Sequence, residues 1–361
     1  MGSSRFVWLD AVRFLAAFSV LVAHARASFF VEYGALPVEQ QNALSGLFYA
    51  LTRLGSEAVI FFFVLSGFLV GGGTAQRVVE KRFDVKRFAI DRSSRILVPY
   101  VPALILTVAV CRLGGCGAPA AVVLGNLAFM QEILVPSLDA NRPLWSLPYE
   151  VWFYATLGGA GILVSRRRLT LVAAPVLVIS GTVLLALEWT YVACMIIGAV
   201  ARIRLPGRPS LVRTCVSVVV CFIAVTALQL ASPSRTLPAP FWWLPSAVQS
   251  RVLLGIGASL AIQQLALAAP RTRSSSMVAG WTTGLAGFSY TLYLTHYPLL
   301  RAMQRLGVER AARISSTSVL RFGAGLGACI LFGWLFGLLF ERRTADVRKW
   351  LGARTGVHAN H

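Results

Sequence analysis

The sequence predicts an all-α, polytopic membrane protein, and its composition, its apolar runs and the positions of its charges indicate that class. Hydrophobic residues make up 57% of the 361 residues, and charged residues make up 13%. Soluble domains carry about 25% charged residues, so this composition excludes a globular soluble fold. The formal net charge of +20 lies mostly in short loops between apolar runs, which leaves no stretch for a nucleic-acid-binding domain.

Ten apolar runs are long enough to cross a bilayer. They lie near residues 9–30, 58–73, 96–112, 147–165, 169–187, 190–203, 211–231, 247–269, 281–300 and 318–340. A further run near 120–135 contains Asn126, and its length of about 15 residues fits a re-entrant or interfacial segment better than a span. We therefore expect about ten transmembrane helices in a single domain over residues 1–345, followed by a basic cytoplasmic tail over residues 346–361.

The basic residues indicate the orientation in the membrane. If the N-terminus is cytoplasmic and segment 120–135 does not cross, the basic clusters near 74–95, 166–168, 202–213, 271–273 and 342–354 all face the cytoplasm. If the segment crosses, the assignments from 166–168 onward invert, and the positive-inside rule favours the first scheme. The prediction is thus a plasma membrane protein of bacterial type with both termini in the cytoplasm. In this scheme four arginines lie on the side of the membrane opposite to the cytoplasm: Arg301, Arg305, Arg310 and Arg313. Binding of an anionic substrate is the one role that the sequence suggests for them.

The first apolar run, residues 8–30, contains Asp10, Arg13 and His24. Three helical turns take about 10.8 residues, so Arg13 and His24 share one stripe of the helix, roughly 16 Å apart along its axis. Asp10 precedes Arg13 by three residues and is close enough to pair with it. Ionisable groups in a spanning helix are costly unless they face a cavity, so they indicate function. An interfacial Asp–Arg anchor with a packing histidine is the alternative.

Two further segments carry polar groups into early spans. Ser66 and Gly67 lie in the Phe-rich run 59–70, where small residues favour close helix packing. Arg92 and Arg95 are three residues apart where a basic loop enters a span, which places both guanidiniums on one helix face. Such a pair suits bidentate binding of phosphate, and ordinary anchoring at the membrane surface is an equal alternative.

Two later spans contain a carboxylate and a histidine. Glu150 lies inside the entrance of an aromatic-rich span, where it needs a cationic or hydrogen-bonding partner. Ser289 and His296 lie two turns apart on another span, and hydrogen-bonded structure and catalysis are both open for this histidine. The six cysteines show no metal-ligand spacing, so no metal is expected. Whether Cys111 and Cys116 form a disulfide across a Gly-rich turn stays open.

Together and in this order, the motifs resemble the acyltransferase-3 family of integral membrane O-acyltransferases, and the likeness covers essentially the whole chain. The matching pieces are Asp10-x-x-Arg13 with Arg-x10-His ending at His24, FFFVLSGFLV, Arg92-x-x-Arg95-Ile96 with Pro99 and Tyr100, Trp145-Ser146-Leu147-x-x-Glu150-x-x-Phe153-Tyr154, Ser289-Tyr290-x-x-Tyr293-Leu294-x-His296, and Glu341-Arg342. Two departures, Phe14 in place of a common glycine and Arg343 in place of a common proline, affect none of the expected chemistry.

The resemblance implies transfer of an acyl group, acetyl by default, from cytoplasmic acyl-CoA to a hydroxyl of a carbohydrate, glycolipid or glycosylated acceptor. His24 is the expected general base, and Glu150 or Asp10 would orient its imidazole or stabilise the imidazolium. The phosphates of the co-substrate are expected to bind three arginines, Arg13, Arg92 and Arg95. Three further residues are expected either to contact the substrate or to support the structure of the site: Tyr290, Tyr293 and His296.

A second function is open at this point. Ten spans with intramembrane His, Asp and Arg side chains also suit a proton-coupled transporter or flippase of a glycan precursor, in which such residues form proton relays. No internal inverted repeat is evident in the sequence, and the phosphate-suited arginines cluster on one side, which favours the acyltransferase. The expected partners are therefore acyl-CoA, the acceptor and the lipid bilayer.

Overall fold

The computed structural model describes residues 7–115, 117–165, 170–230, 246–268 and 284–356. Outside these residues lie Cys116, Trp242, Trp243 and the predicted basic clusters at 166–168 and 271–273. The described residues form helices and contain two isolated β-bridges but no strand, so the all-α prediction is confirmed.

The α-helices follow one another closely along the chain. In order they are α1 (Val7–Phe29), α2 (Ala43–Leu51), α3 (Gly55–Ser66), α4 (Gly73–Val79), α5 (Val85–Leu113), α6 (Ala120–Leu127), α7 (Leu147–Ser165), α8 (Thr170–Ala186), α9 (Trp189–Ile203), α10 (Leu211–Leu230), α11 (Ala247–Ala268), α12 (Ser289–Arg305), α13 (Ser316–Leu339) and α14 (Thr344–Thr355). A π-helix, Gly67–Gly72, joins α3 to α4, and a 3-10 segment, Asp139–Ser146, precedes α7.

Six helical stretches among the described residues are long and apolar enough to cross a membrane. They are Trp8–Phe29, Ala43–Val79, Val85–Leu113, Leu211–Leu230, Ala247–Ala268 and Ser316–Thr355. Two shorter apolar helices, Leu171–Ala186 and Trp189–Ile203, coincide with predicted spans. The chain is thus a multi-pass membrane protein, and the predicted count of about ten spans stays a prediction.

The predicted segment near 120–135 contains no helix long enough to cross a membrane. Helix α6 has 8 residues, which corresponds to about 12 Å against a hydrocarbon core of about 30 Å. Asn126 is fully buried, and its Nδ2 donates to the carbonyl oxygens of Val122 at 2.9 Å and Pro136 at 3.0 Å. These bonds hold the chain after α6 against the helix, as expected for a segment that does not span.

The chain forms two compact units that are interleaved along the sequence. The first contains the described parts of Met1–Arg13, Val59–Val85 and Tyr149–Thr283. The second contains the described parts of Phe14–Ala58, Lys86–Pro148 and Gly284–His361.

In the first unit, α9 crosses the π-helix at two glycines. A Cβ built on Gly67 would overlap the carbonyl oxygen of Met195, and a Cβ built on Gly198 would overlap that of Val64. Small residues allow two helix backbones to approach this closely. The structure therefore confirms the prediction that the small residues at 66–67 support close helix packing.

In the second unit, several helix termini meet at one end. Glu341, just after α13, accepts hydrogen bonds from the backbone N–H of Thr291, at 3.0 Å, and from its hydroxyl in the first turn of α12. Asp91 near the start of α5 lies 3.8 Å from Arg348 of α14. The starts of α5 and α12 therefore share this end with the end of α13, and we call it the Glu341 end.

The ends of α1, α5 and α12 meet at the opposite end of the second unit. Gln304 in the last turn of α12 donates to the carbonyl oxygen of Ser28 in the last turn of α1, at 3.4 Å. The side chain of Arg305 lies against Gly114, just after α5. A Cβ built on Gly114 would stand 3.0 Å from Nε of Arg305. We call this the Arg305 end. The helices α5 and α12 thus run in the same direction through the unit.

Candidate active site

Helices α1 and α12 bring two histidines together inside the second unit. Nδ1 of His24 lies 3.0 Å from Nε2 of His296, and the ring centroids are 5.2 Å apart with an interplanar angle of 22°. His296 is buried at 1% exposure, whereas His24 is partly exposed. The sequence predicts that both residues lie in membrane helices, but it does not predict that they form a pair.

The hydrogen bonds of this pair determine which nitrogens carry protons. Nδ1 of His296 lies 3.0 Å from the carbonyl oxygen of Leu292. A carbonyl can only accept, so this Nδ1 carries a proton and, in the neutral ring, Nε2 is an acceptor. His24 must therefore donate from its Nδ1. Its own Nε2 then carries a lone pair and has no hydrogen-bond partner among the residues that the structure describes.

A tyrosine that the sequence analysis did not single out completes the surroundings of His24. The ring of Tyr297 packs edge-on against the imidazole, with centroids 5.1 Å apart and an interplanar angle of 85°. Tyr297 directly follows His296 in the sequence, and this adjacency is the one signal that pointed to it. The contact restricts rotation of the His24 ring and leaves the Nδ1 hydrogen bond in place.

The 3-10 segment before α7 is held against α12 by buried hydrogen bonds. Tyr293 donates to the carbonyl oxygen of Pro143 at 2.6 Å and accepts from the Ser146 hydroxyl at 2.6 Å. Asn141, fully buried and not predicted, donates to the carbonyl oxygen of Leu294 at 2.9 Å. Tyr293 thus holds the helix turn that carries His296, and Tyr290 lies in the first turn of the same helix. The supporting role expected for these tyrosines stays a prediction.

The predicted pairing of Asp10 and Arg13 is present, at 2.9 Å between Oδ1 and Nη1. Asp10 precedes His24 by fourteen residues on the continuous helix α1, which corresponds to about 21 Å along the axis. The role expected for Asp10 in orienting the imidazole stays a prediction. The group that lies next to Nδ1 of His24 is His296.

Glu150 lies in the first turn of α7, in the first unit. The hydroxyl of Tyr154, one turn later, donates to the Glu150 carboxylate, and the Ser66 hydroxyl lies 2.9 Å from the Tyr154 oxygen. The Tyr154 hydroxyl has one proton and donates it to Glu150, so the Ser66 hydroxyl donates to the Tyr154 oxygen. The carboxylate thus has a hydrogen-bonding partner at i+4 on its own helix, and its catalytic role stays a prediction.

The predicted phosphate-binding arginines Arg92 and Arg95 both lie on α5 near the Glu341 end. Their spacing of three residues places them on neighbouring positions of one helix face. Arg92 is partly exposed and Arg95 is exposed. The third predicted arginine, Arg13, belongs to the first unit. Binding of acyl-CoA by these three residues stays a prediction.

Comparison with known proteins identifies the family. The family described as "Acyltransferase domain" (Acyl_transf_3) matches residues 6–351, nearly the whole chain. No curated protein and no solved structure matches the chain. Among the described residues, no group of three or more His, Cys, Asp or Glu side chains is placed to hold a metal ion. The family match includes the helices that carry the histidine pair, and the chain therefore belongs to the acyltransferase-3 family and is a membrane acyltransferase.

Proposed function

We propose that this enzyme transfers an acyl group, acetyl by default, from acyl-CoA to a hydroxyl of a carbohydrate, glycolipid or glycosylated acceptor. The observation that carries the proposal is the His24–His296 pair, with its 3.0 Å hydrogen bond between helices α1 and α12. Transfer to an alcohol requires removal of the hydroxyl proton, and a histidine that presents an unprotonated nitrogen supplies the base. The Nε2 lone pair of His24 meets that requirement.

In the proposed reaction the acceptor oxygen attacks the thioester carbonyl carbon while Nε2 of His24 takes the hydroxyl proton. The tetrahedral intermediate then expels the CoA thiolate, the C–S bond breaks, and the thiolate receives the proton from His24. The products are the ester and CoA with a free thiol. No covalent acyl-enzyme forms, so no activated serine or cysteine is needed.

His296 supports this cycle without touching the substrate. Its Nε2 accepts the Nδ1 proton of His24, which keeps that proton away from the reacting nitrogen. The same hydrogen bond stabilises the imidazolium while His24 holds the acceptor proton, as the aspartate does in catalytic triads. Tyr297 limits rotation of the ring, so the base keeps its direction between turnovers.

The donor is expected to enter from the Glu341 end, where Arg92 and Arg95 would receive the phosphates of acyl-CoA. Guanidiniums bind phosphate oxygens through paired hydrogen bonds. The acceptor glycan, the acetyl group and the bacterial-type plasma membrane with cytoplasmic termini are parts of this proposal that rest on the family resemblance and on the charge distribution.

The experiment uses purified protein in nanodiscs, radiolabelled acetyl-CoA, and the membrane and polysaccharide fractions of the source cells as acceptors. Transfer of label and release of CoA thiol should occur together, and both should disappear in His24→Ala. Gly181→Ala, at a helical glycine with open space around it, serves as the matched control and should keep full activity. A folded His24→Ala protein that still releases CoA would remove His24 as the base.

A further inference from the structure

A stripe of α12 leads from the catalytic imidazole to two arginines. Tyr297, Arg301 and Arg305 recur every four residues, so they lie on one helix face. Tyr297 contacts the His24 ring, and exposure grows along the stripe: Tyr297 and Arg301 are half-buried and Arg305 is exposed. Each step of four residues adds about 6 Å along the axis. The guanidinium groups of Arg301 and Arg305 therefore lie at increasing distance along α12 from Tyr297, which contacts the His24 ring.

A third guanidinium lies close to the start of this stripe. Arg142 belongs to the 3-10 segment that Asn141 and Tyr293 hold against α12. Its Nη2 pairs with Asp139 at 3.0 Å. Hydrogen bonding to Asp139 raises the pKa of Arg142. Arg142 is flanked by Asn141 and Pro143, which bond to the turn of α12 that precedes His296.

The protein places few groups near Arg301 and Arg305 that offset their positive charges. Arg301 donates to the side-chain oxygen of Gln304 at 3.0 Å, and Arg305 lies against Gly114. Neither makes an ion pair with a carboxylate in the part of the chain that the structure describes. Arg310 and Arg313 follow in the next loop, where Arg313 lies 3.8 Å from Glu39. Uncompensated like charges repel one another and raise the local concentration of anions.

These arginines lie at the opposite end of the second unit from Arg92 and Arg95, two of the arginines expected to bind acyl-CoA. Helix α5 begins at the Glu341 end with Arg92 and Arg95, and Gly114, against which Arg305 lies, follows its last residue. Gly114 follows Arg95 by nineteen positions, which corresponds to roughly 28 Å of helix. An acyl-CoA molecule bound by Arg92 and Arg95 thus leaves Arg301 and Arg305 available for another anion. His296, which pairs with His24 of α1, lies between the two ends on α12.

We propose that Arg301 and Arg305, together with Arg142, bind an anionic group on the acceptor, either a carboxylate or a phosphate carried by the glycan. This inference rests on the proposed function and specifies its acceptor as acidic. The bound anion would hold the acceptor at the Arg305 end with its hydroxyl directed along the stripe towards Nε2 of His24. It also accounts for arginines that oppose the positive-inside distribution of charge.

The test is a binding experiment that contains no acyl donor, so its outcome does not depend on whether His24 is the base. The protein is reconstituted in nanodiscs of neutral phosphatidylcholine and titrated with trigalacturonic acid and, separately, with its methyl ester. The two trisaccharides share the same sugar rings, and each carboxylate of the acid is an uncharged methyl ester in the second. The acid should bind at least tenfold more tightly than the ester, and added salt should weaken its binding because the contact is ionic.

Two double variants with equal loss of charge locate the site. Arg301→Gln with Arg305→Gln should abolish the preference for the acid, while Arg204→Gln with Arg208→Gln, both exposed in the first unit, should keep it. Free CoA should bind equally to all three proteins. Equal binding of acid and ester to the unmodified protein, or binding of neither, would overturn the proposal. A tenfold loss of CoA affinity in the first variant would overturn it too, because the arginines would then serve the donor.

Discussion

Nδ1 of His24 and Nε2 of His296 lie 3.0 Å apart, although 272 residues separate the two histidines in the sequence. Nδ1 of His296 is in turn bound to the carbonyl oxygen of Leu292 at 3.0 Å. The chain of hydrogen bonds therefore runs from a backbone carbonyl through both rings to Nε2 of His24. In the proposed mechanism, the protonation of His24 therefore depends on His296, which is buried at 1% exposure.

The first prediction concerns the two amide replacements of His296. Glutamine can place its carbonyl oxygen near the position of Nε2 and accept the His24 proton, whereas asparagine is too short to reach it. His296→Asn should therefore lower kcat about 100-fold or more, and His296→Gln should lose much less. The KM for acetyl-CoA should stay the same in both, because His296 contacts no substrate. Equal losses of kcat in steady-state assays would show that the hydrogen bond to His24 is unimportant.

The second prediction tests whether Arg92 and Arg95 bind the phosphates of the donor. Replacement of both by glutamine should raise the KM for acetyl-CoA about tenfold or more, because charge-assisted hydrogen bonds contribute roughly 1.5–3 kcal/mol each. The KM for S-acetylpantetheine, which carries no phosphate, should not change. Initial rates with the two donors provide the comparison. A parallel rise for both donors would mean that the arginines support the fold instead of the phosphates.

The third prediction concerns helix packing in the first unit. Gly67→Ala introduces a methyl group into the space occupied by the Met195 carbonyl. Overpacking of this kind lowers the free energy of unfolding by about 1–3 kcal/mol. Gly181→Ala, where nothing lies within 4 Å of the new Cβ, should be neutral or stabilising. Thermal unfolding in detergent measures both variants, and equal melting temperatures would contradict the packing described for α9 and the π-helix.

The fourth prediction concerns the cap that Glu341 places on α12. A carboxylate at a helix N-terminus binds free N–H groups and interacts favourably with the helix dipole. Glu341→Ala should lower the free energy of unfolding by about 1–2 kcal/mol. Glu341→Gln, which keeps an acceptor but loses the charge, should lower it by about 0.3–1 kcal/mol. Glu309→Gln, at an exposed residue beyond α12, is the control and should leave the unfolding transition unchanged.

Local spacing was sufficient for several features of the site. The Asp10–Arg13 pair follows from two residues that are three positions apart on a helix. The close packing at Gly67 follows from small residues in a Phe-rich run. The bond between Tyr154 and Glu150 also has helical spacing, of four residues, so the sequence contained the signal for this partner on the same helix.

By itself the sequence determined the all-α membrane class, the non-spanning segment near 120–135 and the family, because hydropathy, length and motif order are properties of the chain. Tertiary structure alone decided that His296 is the partner of His24. It also decided that the face of α12 with Tyr297, Arg301 and Arg305 begins at the His24 ring, because Tyr297 contacts that ring. Helical periodicity shows which residues share a face, but it contains no information about which other helix packs there. That choice depends on how the side chains of distant segments fit together, and only the folded chain reveals it.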